Sequence, residues 1–108
     1  MTAHTIHVAK DFSAHPAGRF RRHGPFTGEV FREDFLRPAL SRYDKVVVDF
    51  TGVGGVRSSF LEEAFGGLVR CDVPQQELDK VNIVDPMYGI DVEVQKYILD
   101  ALRVRANG

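Results

Sequence analysis

The sequence has very little cysteine and no long apolar stretch. Cys71 is the only cysteine among 108 residues, which excludes a disulfide within the chain and fits a reducing compartment. No apolar run approaches the roughly 18 to 20 residues that a membrane-spanning helix needs. The first residues also lack a basic segment followed by an apolar core, so they do not resemble a secretory signal peptide. These features predict a cytoplasmic protein that does not enter a membrane.

The chain also lacks an excess of charge of either sign. Its 14 Lys and Arg residues and 15 Asp and Glu residues give a formal net charge of -1, so overall charge does not favour nucleic acid, membrane surfaces or acidic substrates. Hydrophobic residues make up 44% of the chain and charged residues 27%, as in ordinary globular domains. No repeat, low-complexity segment or linker divides the sequence. We expect a single domain over residues 1–108.

The segment 45–69 carries the most informative local pattern. Residues 46–50 are β-branched and almost continuously apolar, which predicts a central parallel strand covered by helices on both faces. Gly52, Gly54 and Gly55 then turn the chain. Ser59 and Glu62 have the spacing of a capping box, so we expect an amphipathic helix to begin at about Phe60.

Weaker patterns predict the other elements. We expect a first strand at 5–9, a possible partner strand at 19–22, a helix from the cap Thr27 to Leu40 that Pro38 kinks or ends, a buried strand at 80–84, and a last helix capped by Asp91. This order predicts an α/β fold with a small mixed sheet, right-handed crossovers and helices mainly on its outside. The strands at 46–50 and 81–84 should be parallel neighbours.

The strand-to-helix segment resembles the STAS domain of bacterial anti-sigma factor antagonists, in which a strand leads to Asp-Ser-Ser/Thr-Gly at a helix start. Arg57, Ser58, Ser59 and Phe60 occupy the four motif positions without a gap. The resemblance places Ser58 where that family is phosphorylated. Arg57 replaces the motif aspartate and Phe60 the motif glycine, so the similarity supports the fold more than the phosphorylation switch.

A second stretch, GRFRRHGPFTGEVFREDFLRPAL at 18–40, resembles a distinct STAS-like family of uncharacterised bacterial proteins. That family pairs Gly-Arg-Phe and Gly-Pro-x-x-Gly-Glu-x-Phe-Arg-Glu with Ser-Ser-Phe-Leu-x-Glu-Ala-Phe-Gly at a helix start, and both parts are present here. The resemblance implies a regulatory partner, with a histidine-kinase-like ATPase or an anti-sigma factor as the protein that it binds.

We therefore predict a regulatory protein–protein interaction module rather than an enzyme, with no cofactor or metal. The predicted phosphorylation sites are Ser58 and Ser59, and the predicted partner-binding residues are Gly54, Gly55, Arg57, Ser58, Ser59, Phe60 and Glu63. The alternative is a nucleotide- or small-ligand-binding protein that uses the loop of Gly52, Val53, Gly54 and Gly55. This loop lacks the Lys-Ser/Thr of a P-loop and the full dinucleotide-binding spacing, which disfavours nucleotide.

Other polar clusters have simpler interpretations. Arg19, Arg21 and Arg22 form the strongest basic cluster, but nearby acids can neutralise it, so we expect an internally paired face rather than a nucleic-acid site. Asp49 is expected to bind loop amides near Ser58. The four histidines lack metal-ligand spacing and are expected at the surface.

Overall fold

A three-stranded parallel sheet forms the centre of the protein. The computed structural model describes residues 2–87 and 89–107. Strands β1 (Ala3–His7), β2 (Lys45–Asp49) and β3 (Val81–Val84) lie in that order, with Ile6 beside Val48 and Val48 beside Ile83. This arrangement confirms the α/β class and the predicted parallel pairing of β2 with β3. Within the described residues the sheet is parallel throughout, where a mixed sheet was expected.

The predicted strand at 19–22 is wrong. Arg21–His23 form a short 3-10 helix, and Gly18 has a positive φ of 91°, which turns the chain before it. The Arg21 amide donates to the Glu29 carboxylate at 2.8 Å instead of joining a strand. The segment therefore satisfies its amides locally, through the Glu29 side chain and through turn bonds from His23 to Phe20 and from Gly24 to Arg21.

Four helices surround one face of the sheet. Helix α1 covers 28–42 and α2 covers 58–70, each with a π-helical middle, Arg32–Leu36 and Glu62–Gly66 respectively. Helix α3 is the short Gln75–Leu78, and α4 is the long Ile90–Asn107. A π-helical turn, Val8–Phe12, follows β1. Over the described ranges, no helix is long and apolar enough to cross a membrane.

Pro38 does not end helix α1, which continues to Arg42. Proline has no amide hydrogen to donate to the preceding turn, and its ring crowds the carbonyl four residues earlier. The five-residue π-helical segment Arg32–Leu36 lies immediately before this position and widens the helix there. The helix therefore accommodates the proline by a local change of winding.

The sheet has one buried face and one open face. Ile6, Val46 and Val48 point into the core and are at most 2% exposed. Thr5 and Val47, on the other face, are half-buried, and Asn82 beside them is exposed. Successive right-handed crossovers in the order β1, β2, β3 place their helices on the same face. The expectation that helices cover both faces of the central strand was therefore wrong.

Aromatic side chains form much of the core between the sheet and the helices. The Phe31 ring lies 5.8 Å from Phe60 and 6.4 Å from Phe65, and Phe12 lies 5.0 Å from Phe31. Phe31, Phe60 and Phe65 are fully buried. Truncating a buried phenylalanine of this kind costs about 3 to 5 kcal/mol of stability. These contacts fix α1 against α2.

One of the two predicted helix caps is confirmed and the other is wrong. Thr27 caps α1 as predicted, since its hydroxyl accepts from the Val30 amide at 3.4 Å. The last helix is capped by Asp85 rather than Asp91, because one Asp85 carboxylate oxygen accepts from the Gly89 and Ile90 amides at 2.7 Å. Asp85 lies before the helix, where its carboxylate can reach several free amides.

Candidate functional site

The predicted partner face lies at the carboxyl end of the central strand. The chain leaves β2 and turns at Gly52, whose φ of 88° falls in the left-handed region. Val53 is buried beneath the loop, whereas Gly54, Gly55 and Arg57 are exposed. Ligands and partners of open α/β sheets usually bind at this end of the strands.

A second loop lies against this one and creates a shallow groove. The Gly54 amide donates to the Ala14 carbonyl at 2.9 Å, and a Cβ added to Gly54 would lie 3.0 Å from the His15 ring. A side chain at position 54 would therefore require the exposed His15 ring to move. The groove measures about 510 Å³ and is lined by His15, Pro16, Ala17, Gly54, Gly55, Val56 and Arg57.

The loop amides are partly engaged within the protein. The Val53 amide donates to the Phe50 carbonyl at 3.1 Å, and the Gly54 amide already donates to Ala14. A phosphate-cradling loop needs such amides to point at the ligand. Two amides of the glycine-rich segment are thus directed elsewhere, which weighs against nucleotide binding there.

Ser58 connects this face to the last helix. It is exposed at the start of α2, and Ser59 beside it is half-buried. The Tyr97 hydroxyl on α4 donates to Glu93 Oε1 at 3.1 Å, and the first turn of α2 packs against α4. Burial and the Glu93 carboxylate raise the pKa of Tyr97, although Ser58 acts in the opposite direction. Ser58 therefore lies near the Tyr97–Glu93 contact of α4.

Tyr97 and Glu93 were not singled out from the sequence. Their four-residue spacing on a predicted helix indicates that they can touch each other. Nothing in the sequence indicates that Ser58 lies beside them, because that contact joins segments about 40 residues apart in the chain.

Two predicted partner-binding residues lie in the interior. Phe60 is fully buried in the aromatic core, and Glu63 is only 8% exposed. They support the surface from beneath and do not form part of it. The exposed or half-buried part of the predicted face is therefore restricted to Gly54, Gly55, Arg57, Ser58 and Ser59.

The predicted capping box of Ser59 and Glu62 is wrong. Helix α2 begins at Ser58, and its N-cap residue Arg57 makes no side-chain cap hydrogen bond. Glu62 instead accepts from Arg70 Nη1 at 2.7 Å and from Arg19 Nη1 at 2.7 Å. Two guanidinium groups bind the carboxylate more strongly than a neutral backbone amide can. Hydrogen bonds from Arg70 and then Arg19 lower the pKa of Glu62.

A buried ion pair joins α1 to α2. Arg32 Nη1 donates to both the Glu63 carboxylate and the Glu63 carbonyl, each at 2.7 Å, and Arg32 Nε donates to Glu33 at 2.8 Å. The Arg32 and Glu63 side chains are 8% and 10% exposed. Burial lowers the pKa of Arg32, but the hydrogen bonds to Glu33 and Glu63 outweigh it and raise the pKa. Glu63 is therefore held in the interior and is not free to bind a partner, although partner binding was predicted for it.

The two signature segments of the sequence pack directly against each other. A Cβ added to Gly28 would lie 2.7 Å from the Phe60 carbonyl oxygen, so glycine allows α1 to approach α2 at this point. Gly67 similarly leaves room for the Arg32 guanidinium, which a Cβ would strike. These glycines and the Arg32–Glu63 pair give much of the signature a structural role.

The basic cluster is internally paired, as predicted. Arg21 binds Asp34 through two nitrogens at 3.0 and 3.2 Å, and Arg19 binds Glu62. The Arg22 guanidinium lies 4.9 Å from the centre of the Phe20 ring. Much of the positive charge is therefore compensated by acids and an aromatic ring within the protein.

The remaining candidates have local partners. The Asp49 carboxylate accepts a hydrogen bond from the Thr51 amide at 2.9 Å. Because Thr51 follows Asp49 by only two residues, the carboxylate binds this amide and not, as was predicted, an amide beside Ser58. Hydrogen bonds from Thr51 lower the pKa of Asp49. Across residues 2–87 and 89–107, no group of three or more His, Cys, Asp or Glu side chains is arranged to hold a metal ion.

Comparison with known proteins gives one match. A family model described as a STAS-like domain of unknown function (DUF4325) matches residues 27–85. The matched range includes helix α1, strand β2, helix α2 and strand β3, and therefore both members of the Arg32–Glu63 pair. No curated protein and no solved structure matches the chain.

Proposed function

Because the chain belongs to this family of STAS-like domains, we propose that it is a cytoplasmic regulatory module that binds another protein and is not itself an enzyme. The partner face is formed by Gly54, Gly55, Arg57, Ser58 and Ser59. The observation that carries the proposal is the exposed hydroxyl of Ser58 at the start of α2, beside an accessible loop at the end of the central strand.

Phosphorylation of Ser58 would act as the switch. A phosphate adds nearly two negative charges to a surface that the partner must cover, and burying an uncompensated charge is costly. The phosphate would also lie beside Tyr97, which binds the Glu93 carboxylate. Repulsion between the phosphate and Glu93 would disturb this contact, so modification would alter both the charge and the geometry of the face.

Arg57 lies next to the proposed phosphorylation site in the chain. Its exposed guanidinium is adjacent to Ser58 and could bind a phosphate through two hydrogen bonds. We expect the net effect to be loss of the partner, because an arginine paired with phosphate is no longer available to the partner. The proposed partner is a histidine-kinase-like ATPase or an anti-sigma factor.

The test compares proteins captured from a native extract by wild type, Ser58→Ala and Ser58→Asp. We expect wild type and Ser58→Ala to capture the partner and Ser58→Asp to lose it. Ser41→Asp is the matched control, because Ser41 is an exposed serine on α1 outside the face. Mass spectrometry also searches for a phosphopeptide that contains Ser58 or Ser59. Identical partner sets for all four proteins, with no phosphopeptide, would refute the switch.

The groove of about 510 Å³ supports a second candidate, a small ligand or nucleotide bound by the Gly52–Gly55 loop. The engaged Val53 and Gly54 amides make this the weaker candidate. Calorimetry with ATP and GTP, with and without magnesium, should give at most millimolar affinity. Micromolar binding that is lost with Gly54→Val would favour the ligand-binding function over the interaction module.

A further inference from the structure

Strand β3 has a free outer edge. The Val46 amide donates to the Lys80 carbonyl at 3.0 Å, and the Phe50 amide donates to the Val84 carbonyl at 2.9 Å. In a parallel ladder, alternate residues pair with the same neighbour. The main-chain groups of Val81 and Ile83 therefore point away from β2. No further strand of the described chain lies beside them, since β3 ends the sheet.

Helix α4 provides apolar surface next to this edge. A groove of about 240 Å³ lies where Val81 meets Leu99 and its neighbours, and a second of about 390 Å³ lies where Ile83 meets Val92. Val92 is 73% exposed and Leu99 50% exposed. The two grooves lie beside Val81 and Ile83, which are two residues apart on β3. This spacing equals the side-chain period of an added strand.

The charged residues that line the two grooves are all acidic. Asp79 lines the first groove, and Asp85 and Asp91 line the second. Among the described residues, neither groove is lined by Lys or Arg. A strand with basic residues at its ends would complement these carboxylates. A second copy of the same edge would instead bring further aspartates toward them, and like charges oppose pairing.

We propose that the β3 edge binds an extended segment of a partner protein that has apolar residues at alternate positions and basic residues at both ends. The segment adds a fourth strand to the sheet, with main-chain hydrogen bonds to Val81 and Ile83 and apolar side chains against Val92 and Leu99. This surface uses none of the residues of the Ser58 face. The proposal is therefore independent of the proposed function.

The probe is the synthetic peptide Lys-Thr-Val-Thr-Val-Thr-Lys, titrated into the ¹⁵N-labelled full chain. The Val81 and Ile83 amide signals should shift, and their hydrogen exchange should slow at least tenfold at saturation. A peptide with glutamate at both ends should bind at least tenfold more weakly. Methylating the amide nitrogens of the central Thr-Val-Thr-Val-Thr residues should abolish binding, because a strand added in either direction turns alternate amides toward β3.

Two protein variants distinguish specific binding at the β3 edge from nonspecific hydrophobic binding. Leu99→Lys places a cation at the edge and should weaken binding of the basic peptide at least tenfold. Val104→Lys is the matched control, because Val104 is 72% exposed on α4 but lines a different groove. It should bind like wild type. Circular dichroism checks that both variants fold.

Three results would overturn the proposal. One is no change at Val81 and Ile83 with millimolar peptide. Another is equal binding of the acidic and basic peptides, and the third is a dimer in sedimentation whose interface protects these same amides. Ser58→Asp leaves the β3 edge intact. The capture experiment with Ser58→Asp therefore tests the proposed switch, and the peptide titration tests the β3 edge, independently of each other.

Discussion

Arg32 and Glu63 face each other in the interior, where one guanidinium nitrogen of Arg32 donates to both the carboxylate and the carbonyl of Glu63 at 2.7 Å. The pair joins α1 to α2 and lies within the range that matches the STAS-like family. Because α2 begins at Ser58, this contact also fixes the helix that presents the proposed partner face. The stability of the family core and the geometry of the site therefore depend on the same two helices.

Removing one member of this pair should destabilise the domain. In Glu63→Leu the buried Arg32 guanidinium keeps the Glu33 carboxylate and the main-chain carbonyl of position 63 as partners and loses only the Glu63 carboxylate, so we expect a loss of about 1 to 3 kcal/mol. Replacing both residues, as Arg32→Met with Glu63→Leu, should restore much of that stability. Arg37→Gln is the control, since Arg37 forms an exposed i,i+4 pair with Glu33 and should change stability by less than about 1 kcal/mol. Urea unfolding compares the wild type with these three variants.

A methyl group at Gly28 should disturb the contact between α1 and α2. Its Cβ would lie 2.7 Å from the Phe60 carbonyl oxygen and 2.8 Å from the Glu63 Cβ, so the helices must separate. We expect Gly28→Ala to lower the free energy of unfolding by about 1 to 3 kcal/mol. Gly55→Ala is the control, because a Cβ there meets nothing within 4 Å. Equal stability of the two variants in urea unfolding would contradict the close approach.

Asp85 should make stability depend on acid pH. Burial raises the pKa of its carboxyl, but amide hydrogen bonds from Gly89, Met87, Ile90 and Asp91 outweigh burial and lower it. The stabilisation from a lowered pKa is present above the unfolded pKa of about 3.9 and disappears as pH falls through the folded value. Asp85→Asn should flatten this part of the stability curve, and Asp85→Ala should cost about 1 kcal/mol at neutral pH. Thermal unfolding between pH 2 and 7 would check both, and an unchanged curve for Asp85→Asn would count against the cap.

Tyr97 should ionise above the ordinary tyrosine range. Burial and the Glu93 carboxylate raise its pKa, because both disfavour the phenolate. Glu93→Gln should bring the pKa of Tyr97 down toward the ordinary tyrosine value of about 10. Titration followed by ¹³C NMR of the Tyr97 ring measures this directly. The same pKa in wild type and Glu93→Gln would show that the 3.1 Å contact is absent in solution.

Local patterns were enough to predict several elements of the fold. The β-branched run of β2, the apolar strand β3 and the crossover between them follow from short-range preferences, and so does the Thr27 cap of α1. The two signatures also placed Ser58 at a strand-to-helix junction. These features depend on the order and character of nearby residues, which a sequence displays directly.

Only the tertiary structure decided which polar groups meet. The spacing of Ser59 and Glu62 allowed a capping box, yet the Glu62 carboxylate binds Arg19 and Arg70 instead. Glu63, the next residue, is buried with Arg32. The open face of the sheet and the free β3 edge likewise follow from how the crossovers pack. An ion pair or an exposed edge depends on segments distant in the chain coming together in space. Helical and strand periodicity determine which side of an element is apolar, but they do not determine its neighbour.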